Sequence, residues 1–370
     1  MSTPSRKLEH IDIVLTRSVE GPGSTWFEHV YLVHKALPEI DLEDVSIETR
    51  FLRKRLRAPI VITGMTGGHK DVGHVNRAIA EAAEEFGIAM GVGSQRAAIE
   101  DPSRVESFAI ARRVAPNAVI IANIGAPQLV RGYGVSEVKR AIDMIDADAI
   151  AIHLNAAQEV IQPEGEPGFR GVIRAIEDIA SKIEKPVIIK ETGCGLSMEI
   201  VEEIRKIGVK IIDISGYGGT NWVLVEKYRA ERRGEALKAI VAGDLAPWGI
   251  PTAASIIEAR YIAPDMTIIG SGGIRTGLDA VKAIALGADL VGIAKPALEA
   301  YYSGRLGVYL KSLIHGIKAA LFLTGSRSLD ELRQKPVVIT GILRDWLIER
   351  RIDREAYEMA RKKSLRSSII

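Results

Sequence analysis

The sequence predicts an α/β protein built as a closed (β/α)8 barrel, a TIM barrel, and three observations carry that expectation. Eight short apolar runs recur along the chain, amphipathic segments separate them, and several of those segments finish in glycine. The runs are mainly Ile, Val and Ala without clear alternation, the pattern of a parallel strand buried on both faces. A doubly wound open sheet usually needs only about five or six strands, so eight units favour closure.

The strands are expected at "PIVITG" from Pro59, "IAMGVG" from Ile88, "AVIIANIG" from Ala118, "AIAIHLN" from Ala149, "PVIIKETG" from Pro186, "VKIIDISG" from Val209, "MTIIGSG" from Met266 and "LVGIAKP" from Leu290. Between them, "VNRAIAEAAEEFG", "SMEIVEEIRKIG" and "GLDAVKAIALG" space apolar residues three and four apart. They stop at Gly87, Gly208 and Gly287, as helices do. The gap between the sixth and seventh strands is the longest, and its "AGDLAPWGIPTAAS" reads as a loop inserted before the sixth helix. The 370 residues are read as one domain: an N-terminal extension over 1–58, the barrel over 59–300, and a C-terminal helical segment over 301–370 that packs on the barrel or on another subunit.

Lys and Arg number 49 against 47 Asp and Glu, a net charge of +2, so no global field draws nucleic acid or an anionic membrane. The expected partner is a small molecule. A single cysteine, Cys194, rules out an internal disulfide framework and fits a reducing cytosol. The start "MSTPSRKLEHIDIV" is charged where a signal peptide is apolar, and no uninterrupted apolar run reaches the roughly 18 residues of a membrane span. A cytoplasmic protein is expected.

In barrels of this class the chemistry lies at the C-terminal ends of the strands. There the chain places "TGMTGGH", "GSQR", "NIGAPQ", "HLNAAQE", "KETGCG", "SGYGGTNW", "SGGIRTG" and "AKP" in order. Asn123, His153, Asn155, Lys190 and Ser215 all end apolar strands. Each unpaired buried polar group costs about 1–3 kcal/mol, so five on one rim imply a ligand. Phosphate is commonly held by the loops after strands seven and eight, where "GSGGIRTG" and "GIAKP" fall. Lys190 stands across the mouth, a fixed cation suited to a ring that gains negative charge on reduction, and together these point to flavin mononucleotide (FMN). Arg96, His153 and Asn155, with Arg6, Lys7 and His10, suit a second, phosphate-bearing ligand. Glu159 suits a Mg²⁺ that takes one protein carboxylate and substrate oxygens. Plainer readings stand beside these: a salt bridge for Lys190, a solvated loop for Glu159, a solvated tail for Arg6 and Lys7.

The combination of "MTGGH", "GSQRAA", "ANIGAPQ", "HLNAAQE", "KETGCGLS", "SGYGGTNW", "PWGIPTA" and "GSGGIRTGLDAVKAIALGAD" resembles the type 2 isopentenyl diphosphate isomerases, the flavin-dependent family of isoprenoid biosynthesis, in an archaeal-looking form. The resemblance runs from Arg6 to about Pro296; Ala156 and Ala157 replace the Pro-Leu of many bacterial members. It implies FMN held by Gly64, Met65, Thr66, Ser94, Asn123, Lys190, Ser215 and Thr220, with its phosphate on Gly272, Gly273, Ile274, Ala294 and Lys295. It implies a substrate diphosphate on Arg6, Lys7, Ser94, Gln95, Arg96, His153, Asn155 and Gln158, with Glu159 on Mg²⁺. The reaction implied interconverts isopentenyl and dimethylallyl diphosphate by a 1,3-allylic proton shift. Reduced FMN serves as the acid/base group, NADPH sets its redox state, and no protein side chain is assigned the proton; His153, Asn155 and Gln158 support. The family also implies a homo-oligomer, a tetramer or octamer.

Three rival readings differ in what they require. An FMN-dependent 2-hydroxy acid oxidase wants a histidine base near strand seven, and residues 241–264 contain none. A nucleotide dehydrogenase of the inosinate type wants a cysteine near strand six, whereas Cys194 follows strand five. A catalytically silent phosphate-binding barrel would leave the polar rim without a purpose.

Overall fold

The computed structural model describes residues 3–363, so the last seven residues of the expected C-terminal segment lie outside the described residues. All eight expected strands form, at Ile60–Ile62, Ala89–Gly91, Val119–Gly125, Ala149–His153, Val187–Lys190, Ile211–Asp213, Thr267–Ser271 and Leu290–Ile293. They pair in parallel, each with the next. The eighth returns to the first through Val291 and Ile60, which closes the barrel.

Every strand residue is buried or nearly so, but successive side chains still point to opposite sides. Val61, Ala89, Val119, Ile121, Ala149, Ala151, Ile188, Ile211, Ile269 and Leu290 form one apolar cluster, the barrel interior. Their neighbours in sequence, such as Ile60, Ile62, Ile120, Ile150 and Ile189, belong to a separate cluster shared with the helices outside. The helix-stop reading holds in detail at Gly87, which takes φ 61° after the helix Gly73–Phe86 and donates its N–H back to the Ala83 and Glu84 carbonyls.

The N-terminal extension does more than the sequence disclosed. The helix Thr3–Thr16 reaches the catalytic end, and a hairpin of Thr49–Phe51 and Lys54–Leu56 closes the opposite end. Phe51, Leu52 and Leu56 pack into the interior cluster as its floor. The hairpin turn needs positive φ at Leu52 and Arg53, 48° and 64°, an unfavourable choice for side-chain-bearing residues that burial of Leu52 helps offset.

The structure adds to the expected layout in three places. The excursion between strands six and seven is not a simple loop: it holds the helices Trp222–Arg232 and Ala236–Asp244, and only the end of "AGDLAPWGIPTAAS" enters the sixth barrel helix, Thr252–Ile262. The segment after residue 300 is not helices alone, because Val337–Ile339 pairs antiparallel with Val30–Leu32 of the extension. The helix Leu306–Leu323 is long and apolar enough by length and composition to cross a membrane, although Lys311 and Lys318 interrupt it. Its Leu310, Leu313, Ile317 and Leu321 are buried, and it packs on the barrel helix Gly277–Ala285.

Candidate active site

The alternation that fills the barrel interior also builds the site. Continuing six of the eight inward-facing rows one step past their last apolar members reaches Thr63, Asn123, His153, Lys190, Asp213 and Ser271, so a polar layer caps the apolar ones; the other two rows reach Gly91 and Gly292. Strand register puts His153 beside Lys190 and Lys190 beside Asp213. The Lys190 ammonium donates to the Glu191 carbonyl and lies 3.9 Å from Asp213, whose carboxylate accepts from the Ser271 hydroxyl. Asn123 Oδ1 lies 2.8 Å from His153 Nδ1. Burial, with the charges of Lys190 and Lys7, pushes the His153 imidazole down to about 3, so it is neutral at physiological pH.

Above this layer opens a cavity of about 1490 Å³, including its mouth. On one side stand the loops after strands seven and eight. Gly272 and Gly273 take φ 98° and 77°, and a Cβ on either would strike the backbone of the loop after strand six, at Gly216 and Gly218. The close approach that these glycines permit is therefore first of all one loop against another. The Gly273 and Ile274 N–H groups find no protein acceptor among the described residues, and the Arg275 and Lys295 side chains line the same end. The helix Lys295–Tyr302 begins there, adding its N-terminal field.

On the other side, the helix Thr3–Thr16 delivers Arg6, Lys7 and His10. Lys7 forms no ion pair among the described residues, and burial, with Arg6 alongside, pushes its ammonium down to about 8. Arg6 Nε, Thr66 Oγ1 and Asn155 Oδ1 are buried without a partner. Asn155 Nδ2 donates to Glu159 at 2.8 Å, and the other Glu159 oxygen accepts from the Glu166 N–H at 2.7 Å. Glu159 is thus buried and ordered, not a solvated loop residue. Beneath lies a buried network in which Glu226 accepts from Gln158 Nε2 at 2.9 Å, meets His10 at 2.9 Å and Arg229 at 2.6 Å. Burial works against the Glu226 charge, but the His10 contact and Arg229 outweigh it and hold the carboxyl near 2.

The structure brings most of the expected residues into this one cavity. Gly64, Met65, Thr66, Ser94, Asn123, Lys190, Ser215, Thr220, Gly272, Gly273, Ala294 and Lys295 line it, as do Arg6, Lys7, Arg96, His153, Asn155, Gln158 and Glu159. Two do not reach it with their side chains. Gln95 is fully buried, its amide donating to the Ala141 carbonyl at 2.8 Å and its oxygen accepting from the Asn123 N–H at 2.9 Å, so it buttresses strand three. The Ile274 side chain packs in the core, leaving only its backbone for a phosphate. Among the described residues no three His, Cys, Asp or Glu side chains come together as a metal site.

The FMN-dependent dehydrogenase family profile matches residues 147–339. The isopentenyl-diphosphate delta-isomerase of Ignicoccus hospitalis is 54% identical over 96% of this chain and 99% of its own, and that of Sulfurisphaera tokodaii 52% over 98% and 99%. This chain belongs to the isopentenyl-diphosphate delta-isomerase family. The expected enzyme class, the archaeal resemblance and the barrel all agree with that membership. Among solved structures, mandelate oxidase with (S)-2-phenylpropionate superposes with a TM-score of 0.62 at 18% identity, covering 90% of this chain and 95% of its own. At that identity the likeness shows a shared barrel and nothing more.

Sequence reasoning on this isomerase-family chain passed over Thr63, Gln128, Gln162, Trp222, Ser271 and Arg275, all of which line the cavity. Thr63 and Ser271 were within reach of the strand alternation. Arg275 stood in the quoted "GGIRTG" without being given a role. Trp222 likewise ended the motif "SGYGGTNW" without a role, and Gln162 lies at the end of the fourth-loop helix, whose path carries no local signal.

Proposed function

We propose that this chain interconverts isopentenyl and dimethylallyl diphosphate by a 1,3-allylic proton shift, in isoprenoid biosynthesis. The observation that carries the reading is a single cavity with two separate anion cradles, one at Gly272, Gly273, Arg275 and Lys295, the other at Arg6, Lys7 and Arg96. Two phosphate-bearing ligands fit such an arrangement, one at each cradle of the same cavity.

The glycine loops, the acceptor-free N–H groups and the cations of the first cradle fit the phosphate of FMN, and the polar layer around Lys190 fits its ring. When bound and reduced, FMN supplies the acid/base chemistry of the shift and an electron-rich face for the developing cation. Gly64, Met65, Thr66, Ser94, Asn123, Ser215, Thr220, Ile274 and Ala294 complete that site. NADPH is the proposed reductant. In the second cradle the orphaned Arg6 Nε and the unpaired Lys7 ammonium take diphosphate oxygens, with Arg96, Ser94, His153, Asn155 and Gln158. Glu159 supplies the one protein carboxylate for Mg²⁺, which completes its shell with water and diphosphate. The carry-over of Gln95 as a direct ligand is dropped, since its amide is consumed by the backbone.

Protonating an unactivated alkene leaves a tertiary carbocation, so the cavity must be dry and place the carbon chain closely. Ile11, Val14, Met65 and Trp222 give it apolar wall. Neutral His153 orients by hydrogen bonding without adding a positive charge beside the cation. Anionic Glu226, reached through His10 and Gln158, balances the cations of the diphosphate site. Cytoplasmic residence and assembly into a homo-oligomer of four or eight chains belong to the same proposal.

An anaerobic assay with FMN, Mg²⁺ and isopentenyl diphosphate, with and without NADPH or dithionite, tests the reading. Dimethylallyl diphosphate forming only with reduced flavin supports it. Flavin reduction by a 2-hydroxy acid without isomerisation would replace it with the oxidase reading.

A further inference from the structure

Outside the cavity wall, at the phosphate cradle, a carboxylate faces both of its cations. Glu20 accepts from Arg275 Nη2 at 2.7 Å and from the Lys295 ammonium at 3.3 Å, and it does not line the cavity itself. It belongs to a strap, residues 19–25, that runs along the loop after strand six and the start of the helix Thr252–Ile262. The Asn221 N–H donates to the Val19 carbonyl at 2.7 Å, Glu20 bridges Thr220, the Gly23 N–H donates to the Tyr217 hydroxyl at 2.8 Å, and the Ala253 N–H donates to the Thr25 carbonyl at 3.0 Å. The Thr25 methyl fills the place where a Gly273 Cβ would be. Immediately before the strap runs the helix Thr3–Thr16, which carries Arg6, Lys7 and His10 to the other cradle.

We propose that Glu20 is a positioning residue that couples the two ends of the site: it sets Arg275 and Lys295 for the flavin phosphate and, through the strap, ties occupancy of that cradle to docking of the substrate-binding helix. The inference rests on the proposed place of the flavin phosphate. A simple counter-ion role makes the opposite forecast, because a bare carboxylate next to a phosphate site repels the incoming phosphate. Removing the charge while keeping the shape therefore separates the two by sign. Positioning predicts weaker FMN binding in Glu20→Gln; charge balance alone predicts tighter binding.

The test is a fluorescence titration of apoprotein with FMN and with riboflavin, which lacks the phosphate, for wild type, Glu20→Gln and Glu20→Asp. Loss of about tenfold in FMN affinity in Glu20→Gln, with riboflavin affinity unchanged and partial recovery in Glu20→Asp, is expected. In parallel, FMN should slow tryptic cleavage after Arg17 in wild type, and riboflavin should not; in Glu20→Gln the FMN protection should be lost. FMN affinity in Glu20→Gln equal to or tighter than wild type, or equal protection by FMN in both proteins, would overturn the inference. Equal affinity of wild type for FMN and riboflavin would instead remove the phosphate assignment on which it rests. Glu20 is 44% exposed at its side chain, so the glutamine variant should fold, and circular dichroism checks this.

Discussion

Lys7 sits beside Arg6 with no carboxylate on its ammonium among the described residues, and that cost makes sense only if an anion arrives. Its pKa near 8 forecasts a kcat/KM for the diphosphate that holds up to about pH 8 and falls above it. In Lys7→Arg the fall should move beyond the accessible range, because guanidinium stays charged. The sign for stability is opposite to that for binding. The folded pKa lies below the free value of 10.5, so from about 8 to 10.5 the unfolded chain holds more protons and stability rises with pH through that window. Lys7→Met should therefore gain about 1 kcal/mol by denaturant titration at pH 7, a modest figure because solvent reaches part of the side chain, while raising KM about a hundredfold. Glu226→Gln acts the other way: it leaves Arg229 short of its buried partner and should cost about 3 kcal/mol. At this scale the sequence was legible where a polar residue ended an apolar strand, as at Asn123, His153 and Lys190. It failed at Gln95, because "GSQR" does not say which of its side chains faces the mouth and which turns back to hold strand three.

The elements that matter most are loops locked together by their glycines. Gly272→Ala would put a Cβ about 2.2 Å from the Gly216 carbonyl oxygen at a φ of 98°, so one loop must move. A loss of about 3 kcal/mol in thermal or denaturant unfolding is expected, together with poor FMN retention on purification. The eight strands and the glycine-stopped helices were readable because burial on both faces and the 3.6-residue period leave strong local patterns. The floor hairpin was not. Its turn, Leu52 and Arg53, lacks the Asn-Gly signal that usually marks positive φ, and charged residues between Arg50 and Arg57 hide an inward row of Phe51, Leu52 and Leu56. In the excursion after strand six only "AGDLAPWGIPTAAS" was read, as a loop, because its "LAPWG" dominates the local composition; the helices Trp222–Arg232 and Ala236–Asp244 before it were not assigned.

For the whole molecule, the barrel separates stability from chemistry by its two ends. Phe51→Ala empties the floor far from the cavity and should cost about 3–4 kcal/mol in unfolding, with kcat at 25 °C nearly unchanged. A similar loss of kcat would mean that the floor and the site are mechanically linked. At the other end, a chain with nearly balanced charge concentrates cations in two cradles on either side of a polar layer, which is how net charge misses what local charge does. The central claim is that this cavity moves a proton along an allyl unit beside reduced flavin. It is tested most directly by anaerobic turnover of isopentenyl diphosphate in D₂O with FMN, Mg²⁺ and dithionite, followed by NMR. Deuterium entering the dimethylallyl product at the new methyl, only with reduced flavin, is the expected result; product that forms equally with oxidised flavin, or without solvent deuterium, would contradict the account.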